Sequence, residues 1–331
     1  MACGTWCSSE SDAALSRKHP RQTLQRPAAR DGVAASSLTT PPGHWPSLLD
    51  FLGERFAHIG QDVWRQRLRE GAVLNATGQP LTLDAPFAPN QRLFYYREVA
   101  AEPEPRESEV VLFQDAHLVV ADKPHGMPVT PSGKYVRQTL LARLRARLNL
   151  PGLSPLHRID LDTAGLVLFS VNPTERNAYQ ALFRERTVHK TYEAIARWEP
   201  TLPWPVRRAS RLEVGAHFMQ QAEVPGEVNA ITTITPIEHA HGWARYRLEP
   251  LSGQRHQLRA HMAALDLPLL GDGIYPVLTP EGHSDPDKPL QLLAQSIAFD
   301  DPITGLPRQF TSQRRLLKLA NISGIFGIQP A

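Results

Sequence analysis

The sequence has almost no cysteine. Two occur in 331 residues, Cys3 and Cys7, both near the start. That excludes a disulfide scaffold and a four-thiolate zinc site, and it fits a reducing compartment, a cytosol. Long apolar runs are also missing. None reaches the roughly 18 residues needed to span a bilayer, and no continuous apolar stretch near the start reads as a secretory signal. A membrane is therefore not expected. Charge of one sign is scarce: Lys and Arg total 36, Asp and Glu 33, so the formal net charge is +3. This excludes an acidic disordered chain and a basic tail protein. No Gly-rich phosphate loop and no cluster of metal ligands stands out.

Hydrophobic residues make up 41% of the chain, and prolines number 30. The first value suits a soluble globular protein, and the second suggests connecting segments between compact pieces. The length predicts about two domains. Residues 1–43, rich in Ser, Ala, Pro, Arg and Thr, read as a disordered tail. Glu10, Asp12 and Asp31 weigh against a mitochondrial transit peptide there.

Residues 44–100 read as a small module. Ser47 caps a first helix carrying Leu48, Phe51, Leu52 and Phe56. A second helix is expected over 61–70, ended by Gly71, with strands near 72–75 and 92–96. Arg65 and Arg69 share a face of that second helix. The polar, proline-bearing residues 101–107 read as a linker. A larger domain follows over 108–318, with a short tail at 319–331.

In the larger domain, strands are expected at Val110–Phe113, Leu118–Ala121, Leu166–Ser170, Thr191–Ala196 and Trp243–Leu248. A basic helix is expected over 138–148. A further helix is expected from Asn172, its cap, with Pro173 at its first position, to about Arg186. Many strands and few helices suggest an α+β fold with a mostly antiparallel sheet.

Three segments carry chemistry. His157-Arg158-Ile159-Asp160 stands just before an apolar strand, where loops commonly place reactive groups. Asp160 could be a nucleophile, a general base or a structural partner of Arg158. Gly253 to His261 follows a strand and starts a helix. There Arg255 and Arg259 share a face near amides that attract anions, which suits a phosphate or a buried carboxylate. His256 and His261 are five apart, a poor match to metal-binding spacing. Lys190 and Tyr192 alternate on one strand and point the same way. The charge is also uneven. Residues 134–197 hold 11 Lys and Arg against 5 Asp and Glu, a basic stripe of the kind that meets nucleic acid.

Together these segments resemble one family, the RNA pseudouridine synthases of the RluA branch. Its pattern His-Arg-Leu-Asp-x-x-Thr-Ser-Gly-Leu is matched by His157-Arg-Ile-Asp160 with Thr163-Ala-Gly165-Leu. Lys123-Pro-x-Gly126, Lys190-x-Tyr192, Gly253-x-x-His256-Gln-Leu-Arg259-x-His261 and Pro268-Leu-Leu-Gly-Asp272 match in the same order. The segment 68–75 resembles the alpha-L-type RNA-binding module that often precedes such domains.

The resemblance implies isomerisation of uridine to pseudouridine in structured ribosomal or transfer RNA, with base flipping and no cofactor or metal. It implies Asp160 as the catalytic aspartate. Tyr192 would stack on the base and assist proton removal from carbon 5, and Arg259 would pair with Asp160. Arg158, Lys190, Arg255, His256, Arg65 and Arg69 are expected to meet RNA, and the protein to be a monomer.

The sequence departs from the family in three places. Gln254 stands where the family has Arg, and Arg255 where it has Thr or Ser, which on a helix start swings the cation by about 100°. Ala164 replaces a Ser. Leu292-Leu293-Ala294 replaces Leu-His-Ala. A non-catalytic RNA-binding protein on the same fold is the alternative these departures leave open. A hydrolase built on Asp160 and His157 is a more distant one.

Overall fold

The computed structural model describes residues 27–97, 101–280 and 282–327. The chain divides into two compact units. One is built on Ser36–Tyr95, and the other takes Ala28–Ala35 together with Tyr96 onward.

The smaller unit holds strand β1 (Ser36–Thr39), helices α1 (Leu48–Arg55) and α2 (Gln61–Arg69), and strands β2 (Val73–Leu74) and β3 (Arg92–Tyr95). Its sheet runs β1-β3-β2, all antiparallel. The Ser47 hydroxyl accepts from Asp50 N–H and so caps α1. Gly71, at φ +62°, ends α2 in the left-handed conformation its sequence position requires. Phe51, Leu52, Trp64 and Leu68 form the core beneath the sheet. Arg67 is buried and lies over the Trp64 ring at 4.7 Å, so it is packing material.

Part of the expected disordered tail is a strand. Residues 1–26 lie outside the described residues, but Ser36–Thr39 pair with β3 in register Ser36 to Tyr95. A four-residue strand is too short to show a period. What holds it is its partner.

The larger unit begins with a hairpin of β4 (Val110–Gln114) and β5 (Leu118–Lys123), then α3 (Leu140–Leu148), β6 (Ser154–Pro155), β7 (Ala164–Ser170) and α4 (Arg176–Arg184). It continues through β8 (His189–Arg197), β9 (Val206–Val214), β10 (Gln221–Val224), β11 (Ala230–Ala240) and β12 (Trp243–Pro250). Helix α5 (Gln257–Ala263), β13 (Leu292–Asp300), β14 (Pro307–Thr311), a 3-10 turn (Leu319–Asn321) and α6 (Ile322–Phe326) complete it. One 11-stranded sheet runs β10-β9-β11-β12-β8-β13-β7-β5-β4, with β14 on β13 and β6 on β7. Among the described residues only β7 and β13 pair in parallel, so the fold is α+β with a mostly antiparallel sheet.

Three boundaries differ from the sequence reading. Asn172 does not cap α4: its side chain accepts from the N–H and hydroxyl of Thr174, forming a turn, and the helix starts after Glu175. The expected linker 101–107 is pinned, because the Glu102 carboxylate accepts the N–H groups of Val136, Arg137 and Gln138. The expected tail at 319–331 supplies Leu319 and Ile322 to a core cluster with Ile195, Trp243 and Leu293. Apolar residues too few to show a period can still fill a core gap.

Gly165 explains one fixed position of the signature. It sits at φ +109° against β13, where a Cβ would meet the Ala294 carbonyl oxygen at 2.3 Å. Gly165→Ala should therefore lower unfolding stability by at least about 2 kcal/mol. Equal urea midpoints for the variant and the parent would contradict this.

Candidate active site

Sheet order builds the site. The strands β12, β8, β13 and β7 are consecutive neighbours. The loop leading into β7, the start of β8 and the segment after β12 therefore end beside one another. Between them opens a cleft of about 720 Å³ lined by Arg158, Asp160, Lys190, Tyr192, Arg255, His256 and Arg259. Seven of the nine residues singled out from the sequence thus meet in one place. The other two, Arg65 and Arg69, lie on α2 of the smaller unit, where Arg65 pairs with Asp62 and Arg69 is exposed.

Among the described residues, Asp160 is the only acid lining the cleft. Its side chain keeps 28% exposure, with His256 Nε2 at 3.8 Å and Arg259 Nη1 at 3.4 Å. The loop carrying it is held at several points. Thr163 N–H donates to the Asp160 carbonyl. The buried Lys123 ammonium donates to the carbonyls of Pro124, Met127 and Leu161. His125 Nδ1 donates to the Asp162 carbonyl, and the Asp162 carboxylate accepts Ser284 N–H. Burial pushes Lys123 down to about 7, while Asp162 and Asp160 pull it back toward charge. Lys123-Pro-x-Gly126 is thus a clamp on the Asp160 loop.

Arg259 is buried, and its principal partner is Asp272. Nε and Nη2 reach the two Asp272 oxygens at 2.8 and 2.5 Å, leaving Nη1 for Asp160. Burial opposes its charge, but Asp272 and Asp160 hold the guanidinium above its ordinary value. Asp272 has no solvent exposure and also accepts the N–H groups of Ile274 and Tyr275. Sequence reasoning assigned it no role. The only hint was that it is the single acid in Pro268-Leu-Leu-Gly-Asp272.

Tyr192 is held as a phenol. Burial, and then Asp160, push its ionisation upward. Lys190, two residues earlier on the same strand, donates to the Ser252 carbonyl at 3.1 Å. Arg158 is exposed on the rim and has no side-chain partner among the described residues.

Two expectations change. Helix α5 begins only at Gln257, so residues 253–255 precede it and the 100° argument does not apply. Arg255 reaches instead to the carbonyls of Phe218 and Met219. His157 is not paired with Asp160: its Nε2 accepts Leu168 N–H from β7, and its ring stacks on Phe183 at 4.9 Å.

His157, His125 and His261 are each kept neutral by burial, with ionisation pushed down to about 3, 4 and 4. The unfolded chain binds protons at these groups below about 6.5, and the folded chain does not until much lower pH. Their share of stability is therefore present above about 6.5 and lost as pH falls toward 4. Asp162, whose carboxyl is raised by burial, works the other way. Stability should fall between pH 6.5 and 5 by up to about 1.4 kcal/mol per pH unit for each histidine. Urea titrations at both values would read this, and a flat profile would count against it.

Comparison with known proteins agrees with the geometry. Residues 117–264 match the family model described as RNA pseudouridylate synthase. An uncharacterized RNA pseudouridine synthase of Synechocystis is 29% identical over 236 residues, covering 69% of this chain and 79% of that one. The dual-specificity RNA pseudouridine synthase RluA of Escherichia coli K12 is 30% identical over 210 residues, covering 59% of this chain and 89% of that one.

Among solved structures, human RNA Pseudouridylate Synthase Domain Containing 1 shares the fold at TM-score 0.52 and 20% identity, over 70% of this chain and all of that one. Among the described residues no group could hold a metal ion, and no helix is long and apolar enough to cross a membrane. With the Asp160 loop, the Tyr192 strand and the Arg259 helix meeting in one cleft, and with relatives of this identity and coverage, the chain belongs to the RluA-type RNA pseudouridine synthases.

Proposed function

We propose that Asp160 is the nucleophile and that the enzyme flips a uridine of a structured ribosomal or transfer RNA into the cleft. One observation carries this reading. Among the described residues the cleft has a single carboxylate, and a buried arginine fixed by a second carboxylate faces it.

The isomerisation breaks the bond from C1′ to N1 and forms one from C1′ to C5. The C5 proton leaves, N1 ends protonated, and no redox partner is required. Arg259 keeps a positive charge beside Asp160 through the sequence. Tyr192 packs against the flipped base. As a phenol it suits stacking, and a role as the base at C5 requires the bound substrate to lower its ionisation.

Flipping costs roughly a few kcal/mol, which stacking and backbone contacts offset. Arg158 and Lys190 supply cations at the rim, and His256 a polar ring beside Asp160. In the smaller unit, the exposed Arg69 and its neighbour Arg65 are proposed as an accessory RNA contact.

Carbodiimide mapping of pseudouridine in total RNA, from cells with and without the gene, tests the reading. At least one modified position should vanish with the gene. Loss of none in any RNA would favour a binding protein on a synthase fold.

A further inference from the structure

Among the described residues, Phe218 is the one aromatic side chain among the exposed large apolar residues, at 69%. It sits at the turn joining β9 to β10, with the His217 ring 4.7 Å away. An aromatic side chain in water is unfavourable, and a loose loop would let it fold back. This turn is not loose. Gly215 N–H donates to the Gln220 carbonyl, and Gln220 N–H to that of His217. The Gln220 side chain donates to the Ile274 carbonyl at 2.6 Å, and the Tyr275 hydroxyl accepts Gln221 N–H. Met219 packs on the cluster of Leu212, Ile274 and Tyr275.

The clasp closest to the ring comes from the cleft itself. Arg255 lines the cleft, and its Nη1 and Nη2 donate to the carbonyls of Phe218 and Met219 at 2.9 and 3.4 Å. The exposed ring is therefore set one arginine side chain from the cleft wall. Both hydrogen bonds go to main-chain oxygens, so the guanidinium fixes the turn without covering the ring.

We infer that Phe218 is a stacking platform for an RNA base next to the target uridine, and that Arg255 is its positioning residue. The inference rests on the cleft being the synthase active site. Every base offers a π-face, so an exposed ring beside the site receives a displaced neighbour regardless of its identity. The cation that replaces the family's Thr or Ser at residue 255 thus serves the turn first.

The test uses the full chain and total RNA from cells lacking the gene, followed by a synthetic stem-loop carrying the mapped uridine. In that stem-loop, 2-aminopurine replaces each flanking nucleotide in turn. Phe218→Ala should lower kcat/KM by roughly tenfold to a hundredfold, mainly through KM, and Phe218→Tyr should restore it. One flanking 2-aminopurine should be quenched by the parent and by Phe218→Tyr, but not by Phe218→Ala. Losses from Arg255→Ala and Phe218→Ala should not add in the double variant.

Unchanged kcat/KM and unchanged quenching in Phe218→Ala would overturn the platform. Additive losses, with a salt dependence for Arg255→Ala shallower by about one phosphate contact, would make Arg255 a backbone contact and overturn its positioning role. Absence of any pseudouridine formed by the parent would overturn the reading of the cleft, and the platform with it.

Discussion

Asp160→Asn should abolish pseudouridine formation, by more than about 10³-fold in single-turnover rate, and leave RNA affinity within about twofold. The amide matches the carboxylate in shape and keeps its place in the cleft, but it is no nucleophile. Two structural facts make the outcome clean. The side chain is partly exposed, so neutralising it strands no desolvated charge. Arg259 keeps both of its bonds to Asp272 and so stays paired in the variant. The folding midpoint should therefore hardly move. Measurable turnover of the Asp160→Asn protein, at even a hundredth of the parental rate, would sink the assignment.

Asp272→Ala should be the most destabilising single change near the cleft, by about 3–5 kcal/mol. It leaves the buried Arg259 guanidinium without its two-point partner and orphans the N–H groups of Ile274 and Tyr275. Asp272→Asn is the informative companion, because it retains an acceptor oxygen but loses the charge. Arg259 would then turn its pairing toward Asp160, the remaining carboxylate within reach. The proposed nucleophile, held more tightly in an ion pair, would attack more slowly. The expected signature of Asp272→Asn is a fall in kcat of about tenfold or more with KM little changed. Urea unfolding and steady-state kinetics on both variants check the pair of effects. A fall in KM affinity with kcat intact would place Asp272 in substrate binding instead.

The strands of the larger unit that the sequence shows are apolar or alternating runs that need no context, whereas β9, β11 and β13 are not read from it. Leu118–Lys123 and Ala164–Ser170 are buried along their whole length, and the hydrophobic run says so locally. The site motifs were legible because each lies at a strand or helix end. What escaped depends on pairing at a distance. Ser36–Thr39 is a strand only because β3 lies beside it. Glu102 holds residues 136–138 across a separation no periodicity encodes. Asp272 and Arg255 act through partners that local sequence does not name, the one through Arg259 and the other through the carbonyls of the β9–β10 turn. Local sequence marks polar clusters at strand and helix ends more readily than the distant partners that aim them.

The position of β13 has a consequence for synthesis of the protein. Residues 292–300 lie between β7 and β8, pairing with each, and so separate the loop bearing Asp160 from the strand bearing Tyr192. Neighbouring strands stand about 4.8 Å apart. Until the ribosome has released that segment, β7 and β8 lack the spacer that sets their distance. A nascent chain already carrying Asp160, Tyr192 and Arg259 would thus hold all three groups proposed to act on the uridine and no cleft to hold them together. Activity would switch on late and all at once, and a chain cut before residue 292 should turn over no uridine.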